Sequence, residues 1–214
     1  MRMRFSEISA LAGLVSALSC APAFCDTYTL LPGTVAPSLN SGFPIGGTTL
    51  DSVISPFNNG VLAGTLTSQV LSGDTSNPYA GGLTFTYQLS ISPSSRDSAT
   101  QLSLSSFAGF QTDLSYTTNG SGFIPAPSQF GRNSSGSVIS CFWLTSPVTP
   151  GSESALIVVQ TDSANYQDSL AGIIDGLTVN VASLAPIAVP EPGMMGLLVV
   201  GLGCVFAAKS RARR

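Results

Sequence analysis

The sequence predicts a mainly β protein: an antiparallel β-sandwich, of jelly-roll or immunoglobulin-like type, followed by one C-terminal transmembrane helix. Short runs of β-branched, aromatic and aliphatic residues recur through the middle of the 214-residue chain, and turns rich in Gly, Pro and Ser separate them. The middle shows no strong helical period, and the longest apolar runs lie at the two ends. Many short strands between Gly- and Pro-rich loops are typical of two-sheet antiparallel folds.

The clearest predicted strand runs from Leu83 to Ser92. Five apolar residues alternate there with polar ones, and this period of two predicts one buried face and one solvent-exposed face. The exposed face would consist of Thr84, Thr86, Gln88, Ser90 and Ser92. Residues 138–144 are apolar on both faces, which predicts a central strand.

Five further strands are predicted from similar short apolar runs, over residues 61–71, 101–107, 113–117, 155–161 and 177–184. Residues 74–82 form the loop that precedes the strand at residue 83. Residues 27–57 and 120–136 give no clear strand pattern, and we interpret them as long loops or edge segments.

The N-terminus has the three parts of a secretory signal peptide over residues 1–23. Arg2 and Arg4 make its start positive, and residues 8–18 form an apolar run that is too short to span a bilayer. The third part is a cleavage site for signal peptidase.

Small residues define that cleavage site. Ala21 and Ala23 occupy the −3 and −1 positions for cleavage before Phe24, and cleavage before Asp26 is the alternative. Either cleavage would place the rest of the chain outside the cytoplasm.

A second apolar run near the C-terminus, residues 193–208, predicts a transmembrane helix. Its length at ~1.5 Å per residue is about 24 Å, somewhat less than a ~30 Å hydrocarbon core. Four basic residues follow at once: Lys209, Arg211, Arg213 and Arg214. Because positive charge beside an apolar helix stays in the cytoplasm, residues 209–214 would be a cytoplasmic tail and the body would lie outside the inner membrane.

The segment before this helix is Val189-Pro190-Glu191-Pro192. Its two prolines forbid regular helix and leave an extended, accessible linker over residues 186–192. Pro-Glu-Pro, an apolar helix and an Arg-rich end, in this order at the terminus, resemble the PEP-CTERM sorting signal. The resemblance covers residues 189–214, and the basic cluster departs from the family pattern because Ser210 and Ala212 interrupt it.

The resemblance implies recognition by an exosortase, an integral membrane processing enzyme. It also implies a Gram-negative bacterium that makes exopolysaccharide, with transient anchoring in the inner membrane before release to the cell surface or matrix. The same tail is sometimes labelled an ice-binding-protein C-terminal domain. The predicted organisation is therefore a signal peptide (1–23), an extracellular sandwich (24–185), a linker (186–192), a helix (193–208) and a basic tail (209–214).

The body between Asp26 and Glu191 is acidic. It holds ten acidic side chains and only two basic ones, Arg96 and Arg132, which gives it a net charge of −8. Nucleic-acid binding needs clustered Lys and Arg, so this class of partner is excluded.

Residue types also limit the chemistry. The chain contains no His, and no Lys precedes residue 209, so His-dependent and Ser-Lys catalysis are excluded from the body. Asp162 with Asp168 or Asp175 could form a glycosidase pair, but nothing in their context marks a pair, and scattered surface Asp residues in turns are the better interpretation. Asp162, Asn165 and Asp168 could bind calcium, but their spacing and the missing Gly do not match an EF-hand. We therefore expect no catalytic residue, no metal and no cofactor.

Two features could serve recognition. The uncharged strand face could bind a flat ligand such as polysaccharide or ice, although a plain soluble surface is the simpler interpretation. Six aromatic residues could stack on sugars, although packing explains them equally well: Tyr28, Tyr79, Phe110, Tyr116, Phe130 and Tyr166. Cys25 and Cys141 could form a disulfide in an oxidising periplasm, or Cys141 could be a buried thiol on its strand.

These expectations together favour an exported surface or matrix protein with a structural or adhesive role. Its expected partners are signal peptidase, an exosortase, the membrane and extracellular polysaccharide. A carbohydrate- or ice-binding module is the alternative, and a secreted glycosidase-type enzyme is the third choice.

Overall fold

The computed structural model describes residues 28–41, 45–118 and 124–187, and every regular element in these ranges is a β-strand. In chain order the strands are β1 (Tyr28–Thr29), β2 (Val35–Pro37), β3 (Thr48–Asn58), β4 (Ala63–Ser72), β5 (Thr84–Ile91), β6 (Gln101–Leu104), β7 (Thr112–Thr117), β8 (Gln129–Arg132), β9 (Ile139–Phe142), β10 (Leu156–Thr161), β11 (Tyr166–Asp175) and β12 (Leu177–Pro186). The mainly β prediction is confirmed for this part of the chain.

The strands form two antiparallel sheets of six strands each. The first sheet has the order β1-β7-β10-β5-β4-β3, and the second has the order β12-β11-β6-β9-β8-β2. One strand pair of each sheet shows that the pairing is nested along the chain. In the first sheet β5 pairs with β10, and in the second sheet β6 pairs with β9, so that the second pair lies between the two strands of the first pair in the sequence. The chain between β6 and β9 passes through one strand of each sheet, β7 and β8.

The inner faces of the two sheets share one apolar core. Phe85 and Tyr87 of β5 lie opposite Val159 and Ile157 of β10 in the first sheet, and all four are fully buried. A direct bond joins the sheets, since the Tyr87 hydroxyl donates to the carbonyl oxygen of Leu184 at 2.6 Å. This arrangement is consistent with a β-sandwich.

All seven predicted strands are present with shifted ends. Residues 138–144 contain β9, which lies between β6 and β8 as a central strand should. The residues left without a strand assignment contain β1, β2 and β3, all edge strands, and also the interior strand β8. The ten-residue strand β11 was not predicted at all.

The predicted membrane helix at residues 193–208 lies outside the described residues. Within residues 28–41, 45–118 and 124–187, no helix has the length and apolar character that crossing a membrane requires.

Candidate functional site

The predicted processing residues all lie outside the described part of the chain. They are Ala21 and Ala23 at the signal cleavage site, Val189, Pro190, Glu191 and Pro192 in the sorting motif, and Lys209, Arg211, Arg213 and Arg214 in the basic tail. Strand β12 runs to Pro186, one residue beyond the predicted end of the sandwich. The processing assignments therefore stay predictions.

The predicted exposed face of β5 is only partly exposed. Thr84 and Thr86 are 0% and 2% exposed, whereas Gln88 and Ser90 are half-buried. The prediction of a solvent-exposed polar face is therefore wrong for the first half of this strand. The loop between β4 and β5 causes part of this, because Asn77 and Asp74 both bond the Thr84 hydroxyl.

Asp74 is the centre of this covering loop. One carboxylate oxygen accepts bonds from the Thr84 hydroxyl at 2.8 Å and the Gln160 amide at 3.1 Å, and the other accepts two bonds from Ser76. Burial opposes ionisation of Asp74, but the bonds from Ser76, Gln160 and Thr84 outweigh it and hold its pKa below the ordinary value. The carboxylate thus fixes the loop onto the outer face of the first sheet.

Arg132 is a buried cation, and its sequence context predicted only a charge in the acidic body. It is 6% exposed, and its five N–H groups all have acceptors. The acceptors are the carbonyl oxygens of Leu30, Phe107, Phe110 and Gly136 and the hydroxyl of Thr112. Burial lowers the pKa of Arg132, but an arginine remains protonated. Arg132 therefore joins loop segments and β7, and no N–H is left for a ligand.

Gly136 is needed for this arrangement. Its φ is +70°, and a Cβ there would lie 3.1 Å from Pro32 and 3.3 Å from an Arg132 nitrogen. Glycine thus lets the turn approach the guanidinium closely.

The proposed sugar-stacking aromatics are mostly used for packing. Phe130 is fully buried, and Tyr116 and Tyr166 pack against the core. The hydroxyl of Tyr79 donates to Asp113 at 3.2 Å, and burial together with the Asp113 charge raises the pKa of Tyr79 to about 12. None of these four rings offers a fully open face.

The aspartates singled out from the sequence do not form one cluster. Asp162 accepts a bond from the backbone N–H of Gln111 at 3.0 Å, whereas Asp168 is exposed. In the described ranges, no group of three or more His, Cys, Asp or Glu side chains is arranged to hold a metal ion.

Asp175 instead pairs with Asp97, a contact that the sequence did not suggest. The turn between β11 and β12 brings its carboxyl group to hydrogen-bond contact with that of Asp97 in the loop after β5. Burial, the hydrogen bond and the Asp97 charge raise the pKa of Asp175 to about 6. The bond from Asp175 in turn lowers the pKa of Asp97. The two carboxyl groups therefore share a proton below that pH.

An open groove lies where β3 and β5 end and β4 begins. It has a volume of about 380 Å³ and lies between the end of β3 and the residues that follow β5. Both polar and apolar residues line it, among them Phe57, Asn58, Thr65, Ser90, Ser92 and Pro93. No charged residue is among the described residues that line it.

Cys141 carries a free thiol that is fully buried on β9. Burial raises the pKa of this thiol strongly, so it is a poor nucleophile at neutral pH. Of the two alternatives for Cys141, the structure has the buried thiol, and Cys25 lies outside the described residues.

No family model, no curated protein and no solved structure matches this chain.

The groove, the structural role of Arg132 and the Asp97–Asp175 pair were not predicted from the sequence. Only Arg132 carried a usable signal, since it is one of two basic residues in the long acidic body. The other two features depend on which loops meet, and sequence spacing does not contain that information.

Proposed function

We propose that the chain is exported, anchored briefly in the inner membrane by its C-terminal segment, and then released to the cell surface or an exopolysaccharide matrix. There the sandwich acts as a structural or adhesive module. The observation that carries this proposal is the ordered succession of Val189 to Pro192, an apolar run and a basic end. Glu191 would be a recognition residue for an exosortase.

The geometry of the body supports a structural role. The three well-buried charged side chains of the described residues, Arg132, Asp74 and Asp113, use hydrogen bonds to the protein's own backbone and neighbouring side chains. Such charges stabilise loops and do not face a substrate. The nested pairing of β5 with β10 and of β6 with β9 favours a jelly roll, because the immunoglobulin pairs interleave along the chain.

Two other functions fit the geometry less well. An ice-binding plane needs a flat exposed array of hydroxyls, and Thr84 and Thr86 are buried. A glycosidase needs two carboxyl groups about 5–9.5 Å apart, whereas Asp97 and Asp175 are in direct hydrogen-bond contact. We therefore propose that the body is not an enzyme.

The export step is tested by the intact mass of protein recovered from the periplasmic or extracellular fraction. We expect the loss of residues 1–23, with the loss of residues 1–25 as the alternative. A mass that still includes Met1 through Cys25 would contradict export by this signal.

The sorting step is tested with Glu191→Ala in a host that carries an exosortase. The variant should accumulate in the inner membrane and still contain Arg214, because the processing enzyme no longer recognises its substrate. Glu153→Ala, which changes an exposed glutamate of the body, is the matched control and should be processed normally. Normal processing of both Glu191→Ala and a deletion of residues 190–192 would mean that the C-terminus is an ordinary anchor.

A further inference from the structure

We propose that the groove where β3 and β5 end and β4 begins binds an uncharged glycan chain. This inference goes beyond the proposed surface role and does not depend on how the tail is processed. The volume of about 380 Å³ suits one or two sugar rings, and the groove is wide open to solvent. Such a groove covers one side of a chain and leaves its ends free to continue.

The polar groups of the groove are available to a ligand. Thr65 and Ser90 lie directly opposite each other on the β4–β5 ladder, and both are half-buried. Within the described residues, neither hydroxyl makes a hydrogen bond, and the side-chain nitrogen of Asn58 makes none either. Two hydroxyls and one amide can donate to and accept from the hydroxyl groups of a sugar.

The apolar groups of the groove complement these donors and acceptors. The Phe57 ring packs over Gly64, where an added Cβ would lie 2.8 Å from the ring and 2.2 Å from the Ser90 carbonyl oxygen. Gly64 thus lets the strands approach closely, and Phe57 itself is only 6% exposed and belongs to the core. Pro93 is the exposed apolar residue of the groove. A sugar ring presents C–H faces as well as hydroxyls, so it can contact Pro93 while it bonds to Thr65 and Ser90.

The absence of charge selects among sugars. None of the described lining residues is charged, so a uronate, sulfate or phosphate group would lose its hydration without gaining an ion pair. The next cross-strand pair on the same face, Thr67 and Gln88, is also polar and half-buried. An oligosaccharide therefore has more surface to contact than a single sugar.

The test is a titration of the purified full chain with neutral hexasaccharides of glucose and xylose, and with an alginate hexasaccharide as the acidic probe. The chain is held in a polyoxyethylene detergent, which has no sugar headgroup to compete for the groove. Isothermal titration calorimetry should detect a neutral hexasaccharide with a Kd of about 1 mM or lower, as expected for a few hydrogen bonds in an open site. The alginate probe should bind at least about tenfold more weakly.

Thr65→Val and Ser90→Ala each remove one hydroxyl from the groove. Each should weaken binding of the neutral probe by about threefold to tenfold, since a single hydrogen bond is removed. Thr178→Val is the matched control, because Thr178 is exposed on β12 in the other sheet. Trp143 fluorescence during urea unfolding shows whether each variant remains folded.

Three results would overturn the inference. The first is that no neutral hexasaccharide binds at about 10 mM, tenfold above the expected Kd. The second is that alginate binds as tightly as the neutral probes. The third is that binding is unchanged in the double variant Thr65→Val/Ser90→Ala while that variant is folded. Each of these results leaves the sorting proposal untouched, because the titration needs no exosortase and no export.

Discussion

Replacing Arg132 with methionine should destabilise the sandwich strongly. Methionine keeps much of the apolar stem and removes all five N–H donors. The carbonyl oxygens of Leu30 and Phe107 keep a second donor, from Thr112 and Phe110 respectively. The carbonyl oxygens of Phe110 and Gly136 lose the only donor that the described residues give them.

The magnitude follows from these two unpaired carbonyl groups. Each buried acceptor without a partner costs about 1–3 kcal/mol. The loss is partly offset because the variant no longer keeps a cation out of water, a cost of several kcal/mol in the wild type. We expect the free energy of unfolding to fall by about 2–4 kcal/mol for Arg132→Met. Arg132→Lys should cost less, about 1–2 kcal/mol, because an ammonium group supplies three donors from one atom.

Trp143 makes the measurement direct. It is the only tryptophan of the chain, it is 1% exposed, and its ring N–H donates to the Pro125 carbonyl oxygen at 3.2 Å. Urea unfolding followed by its fluorescence reports the sandwich alone. Arg96→Met is the matched control, since Arg96 is exposed, and it should change the free energy of unfolding by less than about 0.5 kcal/mol.

Two results would refute this reasoning. In one, Arg132→Met unfolds within about 0.5 kcal/mol of the wild type, the range of an ordinary surface substitution. In the other, Arg96→Met costs as much as Arg132→Met, so that charge alone and not the buried hydrogen bonds would explain the loss.

Three further predictions concern buried or paired polar groups. Ser68→Ala should raise the free energy of unfolding by about 1 kcal/mol, because the buried Ser68 hydroxyl has no hydrogen-bond partner among the described residues and its removal ends a desolvation cost; a loss of stability in urea unfolding would contradict this. Asp175 has a folded pKa of about 6, above the unfolded value of about 4. Its contribution to the free energy of unfolding is therefore full below about pH 4 and is lost as the pH rises through about 6. Asp175→Asn should therefore melt at a higher temperature than the wild type above pH 6 and lose that advantage below pH 4; equal melting temperatures across this range would disprove the effect of Asp97. The pKa of Asp74 is lower in the folded state than in the unfolded state. Its contribution to the free energy of unfolding is therefore present above about pH 4 and is lost as the pH falls below that value. Asp74→Ala should cost about 2–3 kcal/mol at pH 7 and less in acid, and a cost that does not depend on pH would show that ionisation of Asp74 is irrelevant.

The strands that sequence predicts best are those with a buried face and a regular period. In β5 the apolar residues alternate without interruption, and each of them is buried. Strand β3 is harder to predict, because Pro56 lies within it and its register shifts between Thr49 and Asp51. Proline is tolerated there because β3 is an edge strand.

Strand β11 shows a different limit. Its first half is half-buried or exposed and includes Asp168 and Leu170, whereas only Ala171, Gly172 and Ile173 are buried. A pattern of this kind contains too few buried positions to show a period of two. Its partner β12 is joined to it through Gly176 at φ +66°. Of the two strands of this hairpin, β12 has the sequence pattern from which a strand is easier to predict.

Long-range contacts explain why the candidate site was harder to predict than the strands. The exposure of Thr86 depends on what covers the first sheet, and the groove depends on how the end of β3 meets the residues after β5. Similarly, Arg132 is a structural residue only because three separate backbone segments reach it, at Leu30, at the turn from Phe107 to Phe110, and at Gly136. Local residue spacing predicts which face of a strand is apolar, but it does not predict which loop covers the other face.

The nested strand pairing also determines when the protein can fold. Tyr87 of β5 pairs with Ile157 of β10, so the middle of the first sheet joins residues about 70 positions apart. At roughly 5–20 residues per second, a ribosome delivers β10 about 4–15 s after β5. During that time β5 lacks the strand that pairs with it along one edge, and its apolar residues lack the neighbours that β10 supplies. Closing such a long loop is also slow. The newly made chain therefore stays unfolded and prone to aggregation for seconds. This delay favours a chaperone that binds unfolded polypeptide over one that binds folded domains.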